Sequence, residues 1–453
     1  MNKLKSIRLK GRLIDGTGKP AIENGVVVVS GDTITWAGPA EALPAQYADP
    51  AIEERGNPGF TVMPGLIDGH IHISFGEARS EEENALYTPP EYRALRAAWH
   101  ARKVLRAGVT SAFDAASTFN VATSVRDAIA AGMNEGPRLA VCGRQITSHQ
   151  GLEDSFPSWM PFPAGQAGVL VRSRDEIVEA VRLQVKEGVD CIKVSGSSDS
   201  AISNEPIEGA AFTEDEFRLI VSECHRLQRK CTVHARSRES ALLTARAGFD
   251  WLMHASYIDD EGIDTCLKNG TAIVPAMTLL ANILASAQPG AGASFLDTFR
   301  REYDAAAENL ARAFKAGVPL IAGSESGWSL VPFGNWHARE MQILVDDLGL
   351  TPMQAIHAGT GAASRMLPRW ADRIGTLEAG KLADVLLIDG NPLADITVLQ
   401  KPSKLKMVMQ AGRIVDIETP IADRRVWAYE RHQTFLSGSF RYDETAGRGH
   451  VVN

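Results

Sequence analysis

Cysteine is scarce in this chain. There are five (142, 191, 224, 231 and 266) among 453 residues, an odd number with no CxxC pair. That excludes a disulfide framework and leaves buried structural thiols as the ordinary reading. No apolar run reaches the ~20 residues needed to span a bilayer. The opening MNKLKSIRLKGRLIDG has basic residues but no apolar stretch after them, so no secretory signal is expected. Positive charge is short as well: 47 Lys+Arg against 55 Asp+Glu gives a formal charge of −8. A nucleic-acid binder usually carries the opposite balance. The expected setting is cytoplasmic, with neither a membrane nor a nucleic-acid partner. Disorder is excluded by a 44% hydrophobic and only 23% charged composition.

What the chain has in quantity is glycine, 40 residues, which suits a fold with many short connections. Its length exceeds one average domain. Both ends read as strands. VVVVSGDTITWAG is a Val-rich hairpin signal around Gly-Asp, and the texture returns at ADVLLIDG (383–390) and KLKMVMQAGRIVD (404–416). The middle repeats a different unit, in which an amphipathic stretch ends at Gly and a short apolar run follows. KVLRAG leads to VTSAFDA, RLQVKEG to VDCIKVSG, LLTARAG to FDWLMHAS, DTCLKNG to TAIVPAM and ARAFKAG to VPLIAGSES. Gly after a helix is the left-handed cap, and a nearly all-apolar run is a parallel strand covered on both faces. GLIDGHIH, RLAVCGR and CTVHAR bring the strands to eight. Helical stretches at 91–107, 175–187, 214–228 and 302–316 alternate with them. Eight βα units predict an α/β fold, a (β/α)8 TIM barrel. A doubly wound sheet is the alternative, but no GxGxxG follows the first strand.

A barrel of this kind builds its active site at the C-terminal ends of its strands. The first strand ends on His70 and His72, the fourth carries Lys193, the fifth His234 and the sixth His254. The eighth ends at Glu325. Singly, each has an ordinary explanation, such as a core histidine, a snorkelling lysine or a capping glutamate. Together, four His, a Lys and a Glu buried without purpose would cost several kcal/mol per unpaired charge. Metal coordination removes that cost. His-x-His places two imidazoles on one side of a strand. Imidazole and carboxylate suit zinc and its neighbours. Such an ion lowers the pKa of its water to about 7, and an adjacent carboxylate can pass the proton to a leaving amine.

These residues resemble the amidohydrolase superfamily of metal-dependent hydrolases. PGLIDGHIH (64–72) is similar to its first-strand motif, RLIDGTGKP to its opening strand, and GTLEAGKLADVLLIDGNPLADI (375–396) to its return into a small β-domain. IKVSGSS around Lys193 and ITSHQG around His149 resemble the prolidase-like and imidazolonepropionase-like branch. The resemblance implies that His70 and His72 bind the more buried metal and that His234 and His254 bind a second. Lys193, carbamylated by carbon dioxide, would bridge the two. Position 325 would hold the acid that orients and deprotonates the water. Metal-bound hydroxide would then hydrolyse an amide, urea or carbamate. Zinc is the first candidate, with cobalt, manganese or iron as alternatives, and large homo-oligomers are implied as well.

The chain departs from the family at one point. Gly-Thr-Asp-x-Gly becomes Gly323-Ser324-Glu325-Ser326-Gly327, one methylene longer. Either the backbone shifts so that Glu325 does the Asp task, or one metal is held and Glu325 is only a base, or the family reaction is lost.

Substrate contacts are expected from His149 after the third strand and from the aromatic stretch 150–168, with Phe156, Trp159 and Phe162. Trp328, Phe333 and Trp336 follow Glu325 in the same way. Arg236 or Arg144 would bind a substrate carboxylate or form an ion pair, and Asp114 is equally ambiguous. The expected organisation is a β-sandwich from residues 1–63 and 369–420, a barrel over 64–368, and a C-terminal extension, 421–453. A C–N hydrolase of a small-molecule substrate, hydrophobic or aromatic, is the leading expectation. An Xaa-Pro dipeptidase comes second and a deaminase or cyclic-amide hydrolase third, with a non-catalytic barrel scaffold as the reading of another class.

Overall fold

The computed structural model describes residues 6–149, 151–199, 209–286 and 293–424. Gln150 and the expected extension beyond residue 424 lie outside the described residues. Strands from both chain ends form one seven-stranded sheet. Its order is Arg413–Ile414, Leu405–Gln410, Val385–Asp389, Glu53–Pro64, Ser6–Leu13, Ile22–Ser30 and Thr33–Pro39. The Gly-Asp signal is a hairpin in which Ser30 pairs with Thr33 and Gly31 takes a positive φ of 65°. Leu9, Val27, Val29, Val62, Val385, Leu387 and Met409 bury one core between these strands.

The central strands are all parallel. Leu66–Ile71, Val109–Asp114 and Arg138–Val141 form a three-stranded sheet. Six strands form another, in the order Ala272–Val274, Trp251–His254, Lys230–Ala235, Cys191–Ser195, Gln145–Thr147 and Gly168–Leu170. Helices Pro90–Arg106, Arg174–Lys186 and Glu214–Arg226 fall where the periodicity places them, and Ala293–Ala316 begins well before the expected 302–316. The five glycines expected after helices (108, 188, 248, 270 and 317) all have positive φ.

Two expected strands behave differently. The third breaks at Gly143, φ 67°, where an added Cβ would lie 2.9 Å from Val189. Pairing then passes from the Val109–Asp114 strand to Cys191–Ser195 through Ile146. The eighth segment, 318–326, makes only isolated bridges, from Leu320 to Ile273 and from Ser326 to Ile71. The left-handed backbone at Glu325, φ 63°, interrupts a regular strand. The assigned strands therefore form two sheets and not one closed ring. Among the described residues, no helix is long and apolar enough to cross a membrane.

Candidate active site

The first and eighth segments approach closely because glycine lines the contact. A Cβ on Gly323 would stand 2.7 Å from the Cβ of His70. The Gly69 amide donates to Ala322 and the Glu325 amide to His70, at 2.9 and 2.8 Å. This brings the Glu325 carboxylate between the paired histidines, 3.5 Å from Nε2 of His70 and 3.2 Å from Nε2 of His72. His254 Nε2 lies 4.0 Å from the same carboxylate. The His234 ring is centred 4.6 Å from that of His254, and the His254 ring 5.3 Å from that of His70. His254 and Glu325 hold left-handed backbone, φ 70° and 63°. Non-glycine residues pay conformational energy for that geometry, which clusters at functional sites.

The donor set suits a cation. His72 Nδ1 donates to the Ala116 carbonyl at 3.0 Å, so in the neutral ring Nε2 is a bare acceptor facing a carboxylate. Burial, reinforced by neighbouring cationic groups, drives His70, His234 and His254 well below the usual histidine range. Neutral imidazoles are the metal-binding form. Both ring nitrogens of His254 and Oε2 of Glu325 are buried without a hydrogen-bond partner. His70, His72 and Glu325 each offer one ligand atom, all within 4.8 Å of one another. Buried Lys193, on the Cys191–Ser195 strand, has its pKa pushed down by burial to about 8.

Two carboxylates brace this group. Asp68 was not anticipated, although it stands inside the first-strand motif. Its Oδ1 accepts the amides of His70 and Ser324, and its Oδ2 lies 2.7 Å from Nδ1 of His337. A buried Asp within an apolar run was the available signal. Asp114, left ambiguous by sequence, accepts the Ile73 amide at 2.7 Å and so fixes the chain just past His72. Burial raises its pKa to about 7.

A cavity of ≈370 Å3 opens over His72, His234 and Glu325. Trp328 and Phe156 line it, whereas Phe333 and Trp336 are buried in the core. Arg236 also faces the cavity, but it is ion-paired to Asp199 at 2.8 Å and to Glu302 at 2.5 Å. His149 and Trp159 are not brought to the cavity wall. His149 pairs with Asp154 at 3.0 Å on the surface, and Trp159 is 83% exposed.

Residues 61–415 match the Amidohydrolase family model. Ochratoxinase of Aspergillus niger is 29% identical over 423 residues, covering 89% of this chain and 85% of the relative. Its crystal structure superposes with a TM-score of 0.81 at 26% identity, over 91% and 96% of the two chains. Imidazolonepropionase of Paracoccus denitrificans is 28% identical, covering 84% and 91%. The crystal structure of an Xaa-Pro dipeptidase with bound methionine in the active site gives a TM-score of 0.78 at 26% identity, over 90% and 99%. The fold is TIM-barrel-like α/β with an additional β domain. With its buried histidine–carboxylate centre at the strand ends, the chain belongs to the amidohydrolase family and is a hydrolase of carbon–nitrogen bonds.

Proposed function

We propose that this protein hydrolyses a C–N bond in a small hydrophobic or aromatic amide, urea or carbamate. The observation that carries the reading is the Glu325 carboxylate set within 3.5 Å of two buried histidines, His70 and His72, beneath an aromatic-walled cavity. His70, His72, His234, His254 and Glu325 would hold one or two divalent ions, zinc first among the candidates. When bound, such an ion polarises the substrate carbonyl and activates a water near neutral pH. Glu325 would take a proton from the attacking water and return it to the leaving nitrogen. Lys193 supplies a further carboxylate: its neutral Nζ forms an N–C bond with carbon dioxide, and the displaced proton leaves to solvent. Trp328 and Phe75 hold the apolar part of the substrate.

The proposal includes a closed (β/α)8 ring. The bridges of segment 318–326 to Ile273 and Ile71 support it. It also includes the division into a split β-sandwich and a barrel at residues 63/64 and 368/369, and assembly into a homo-oligomer, which light scattering tests. An Xaa-Pro dipeptidase is the second reading, supported by the likeness to a dipeptidase structure.

A panel of anilides, phenylureas, carbamates and Xaa-Pro dipeptides, assayed on zinc-, cobalt- and manganese-loaded protein, separates the two. Anilide turnover without Xaa-Pro cleavage is expected. Metal content below roughly 0.3 equivalents per chain after supplementation would overturn the enzyme reading in favour of a non-catalytic scaffold.

A further inference from the structure

One wall of the cavity over Glu325 is acidic. Glu81, Glu153 and Asp199 all line it. Its cationic side chains are committed within the chain: Arg79 Nε donates to Glu83 at 3.0 Å, and Arg236 lies between Asp199 and Glu302. A substrate carboxylate entering here meets carboxylates first.

Two buried polar atoms of this wall receive no hydrogen bond. Glu153 is 5% exposed and Gln145 only 1%. The Gln145 amide nitrogen donates to Oε1 of Glu153. That bond fixes the orientation of the amide and leaves its oxygen as an acceptor. Oε1 of Gln145 and Oε2 of Glu153 are both buried and receive no hydrogen bond. Two buried acceptors with no donor, side by side on a cavity wall, match a ligand that brings N–H groups and positive charge. Phe75, Leu280, Phe299 and Trp328 make the rest of the cavity apolar and aromatic.

We infer that Glu153, Gln145 and Glu81 form a subsite for a protonated nitrogen, an ammonium or guanidinium group carried on the apolar part of the substrate. The inference rests on the reading of this cavity as the hydrolase site. It narrows the substrate class to amides, ureas or carbamates that bear a basic group beyond the scissile bond. Burial pushes the carboxyl groups of Glu81 and Glu153 above the usual carboxylate range, and their mutual proximity adds to this at Glu81. A cation held between them supplies the missing counter-charge.

Calorimetry on the metal-loaded full chain at pH 7 tests this with two probes, 4-phenylbutylamine and its neutral counterpart 4-phenyl-1-butanol. The amine is expected to bind about tenfold or more tightly than the alcohol, the gain of a charge-assisted hydrogen bond. Glu153→Gln should bring the two within about threefold while leaving alcohol binding in place. Equal binding of both probes by the unmodified protein, or no measurable amine binding, overturns the subsite. So does a preference that survives in the variant. If Glu153→Gln loses the alcohol as well, the partly buried Glu81→Gln decides: a reduced amine preference supports the subsite and an unchanged one overturns it. Matched anilides with and without a terminal amine keep the two readings apart. No turnover of either, with amine preference in binding intact, defeats only the hydrolase reading. Turnover of both at equal kcat/KM defeats only the subsite.

Discussion

Asp68 and Ser324 are bonded to each other twice. One oxygen of Asp68 accepts the Ser324 amide at 2.9 Å and the other its hydroxyl at 2.5 Å. The same carboxylate accepts the His70 amide and contacts His337. The strand that bears the histidine pair is thereby fixed to the segment that bears Glu325. Outer partners of this kind orient the ligating groups.

Asp68→Ala should lower metal affinity by about 10–100-fold, because the two ligand-bearing segments lose their common anchor. Competition against a chromogenic chelator measures this. Unchanged affinity would show that glycine-to-backbone packing alone sets the approach.

At Glu325, replacement by Gln removes the proton acceptor but keeps the shape. Turnover should fall by about 10²–10⁴-fold with metal still bound. Glu325→Asp restores a carboxylate with shorter reach, and activity between the two is expected. Full turnover by Glu325→Gln would end its assignment as the base.

Lys193 should respond to pH through its neutral fraction. With its pKa lowered to about 8, roughly a tenth of the amine is neutral at pH 7 and roughly nine tenths at pH 9. Only the neutral amine reacts with carbon dioxide. In protein equilibrated with 13C-bicarbonate, a carbamate carbon signal should grow between pH 7 and 9 and be absent in Lys193→Ala. An unmodified lysine across that range would remove the carbamate from the mechanism.

Asp114 makes a stability prediction of definite sign. Its pKa is raised in the folded chain, from 3.8 to about 7. Between those values the native state holds a proton that the unfolded chain has lost, so stability falls as pH rises through this window. Asp114→Asn keeps an acceptor for the Ile73 amide and does not titrate. Urea unfolding of chelator-treated protein should find the variant near the parent at pH 4. By pH 8 it should gain up to about 4 kcal/mol on the parent. Parallel pH profiles would contradict the assignment.

Much of this centre was legible because strand ends and a two-residue period constrain where a side chain points. His70, His72, His234 and His254 all stand at such ends. The eighth strand was read from an apolar run, but the left-handed backbone at Glu325 interrupts that run, which makes only bridges. Its place after the third strand flagged His149 and an aromatic-rich loop flagged Trp159, yet a loop's sequence says little about which way it folds, and both side chains lie at the surface. Arg236 was left open between a substrate carboxylate and an ion pair. Its partner Glu302 is 66 residues away, a pairing that only the tertiary fold brings about. Asp68 escaped notice because its partners Ser324 and His337 come from the other end of the central segment.

The strand Glu53–Pro64 pairs with Ser6–Leu13 on one side and Val385–Asp389 on the other. The Thr61 hydroxyl donates to the carbonyl of Gly390, 329 residues along the chain. During synthesis this strand therefore leaves the ribosome with one edge unpaired, and it stays so until nearly the whole catalytic segment has been made. Contacts of such sequence separation form slowly, and an open strand edge is where chains aggregate. Recovery of folded enzyme on expression should depend on chaperone supply and temperature more than on the final stability of the assembled sheet.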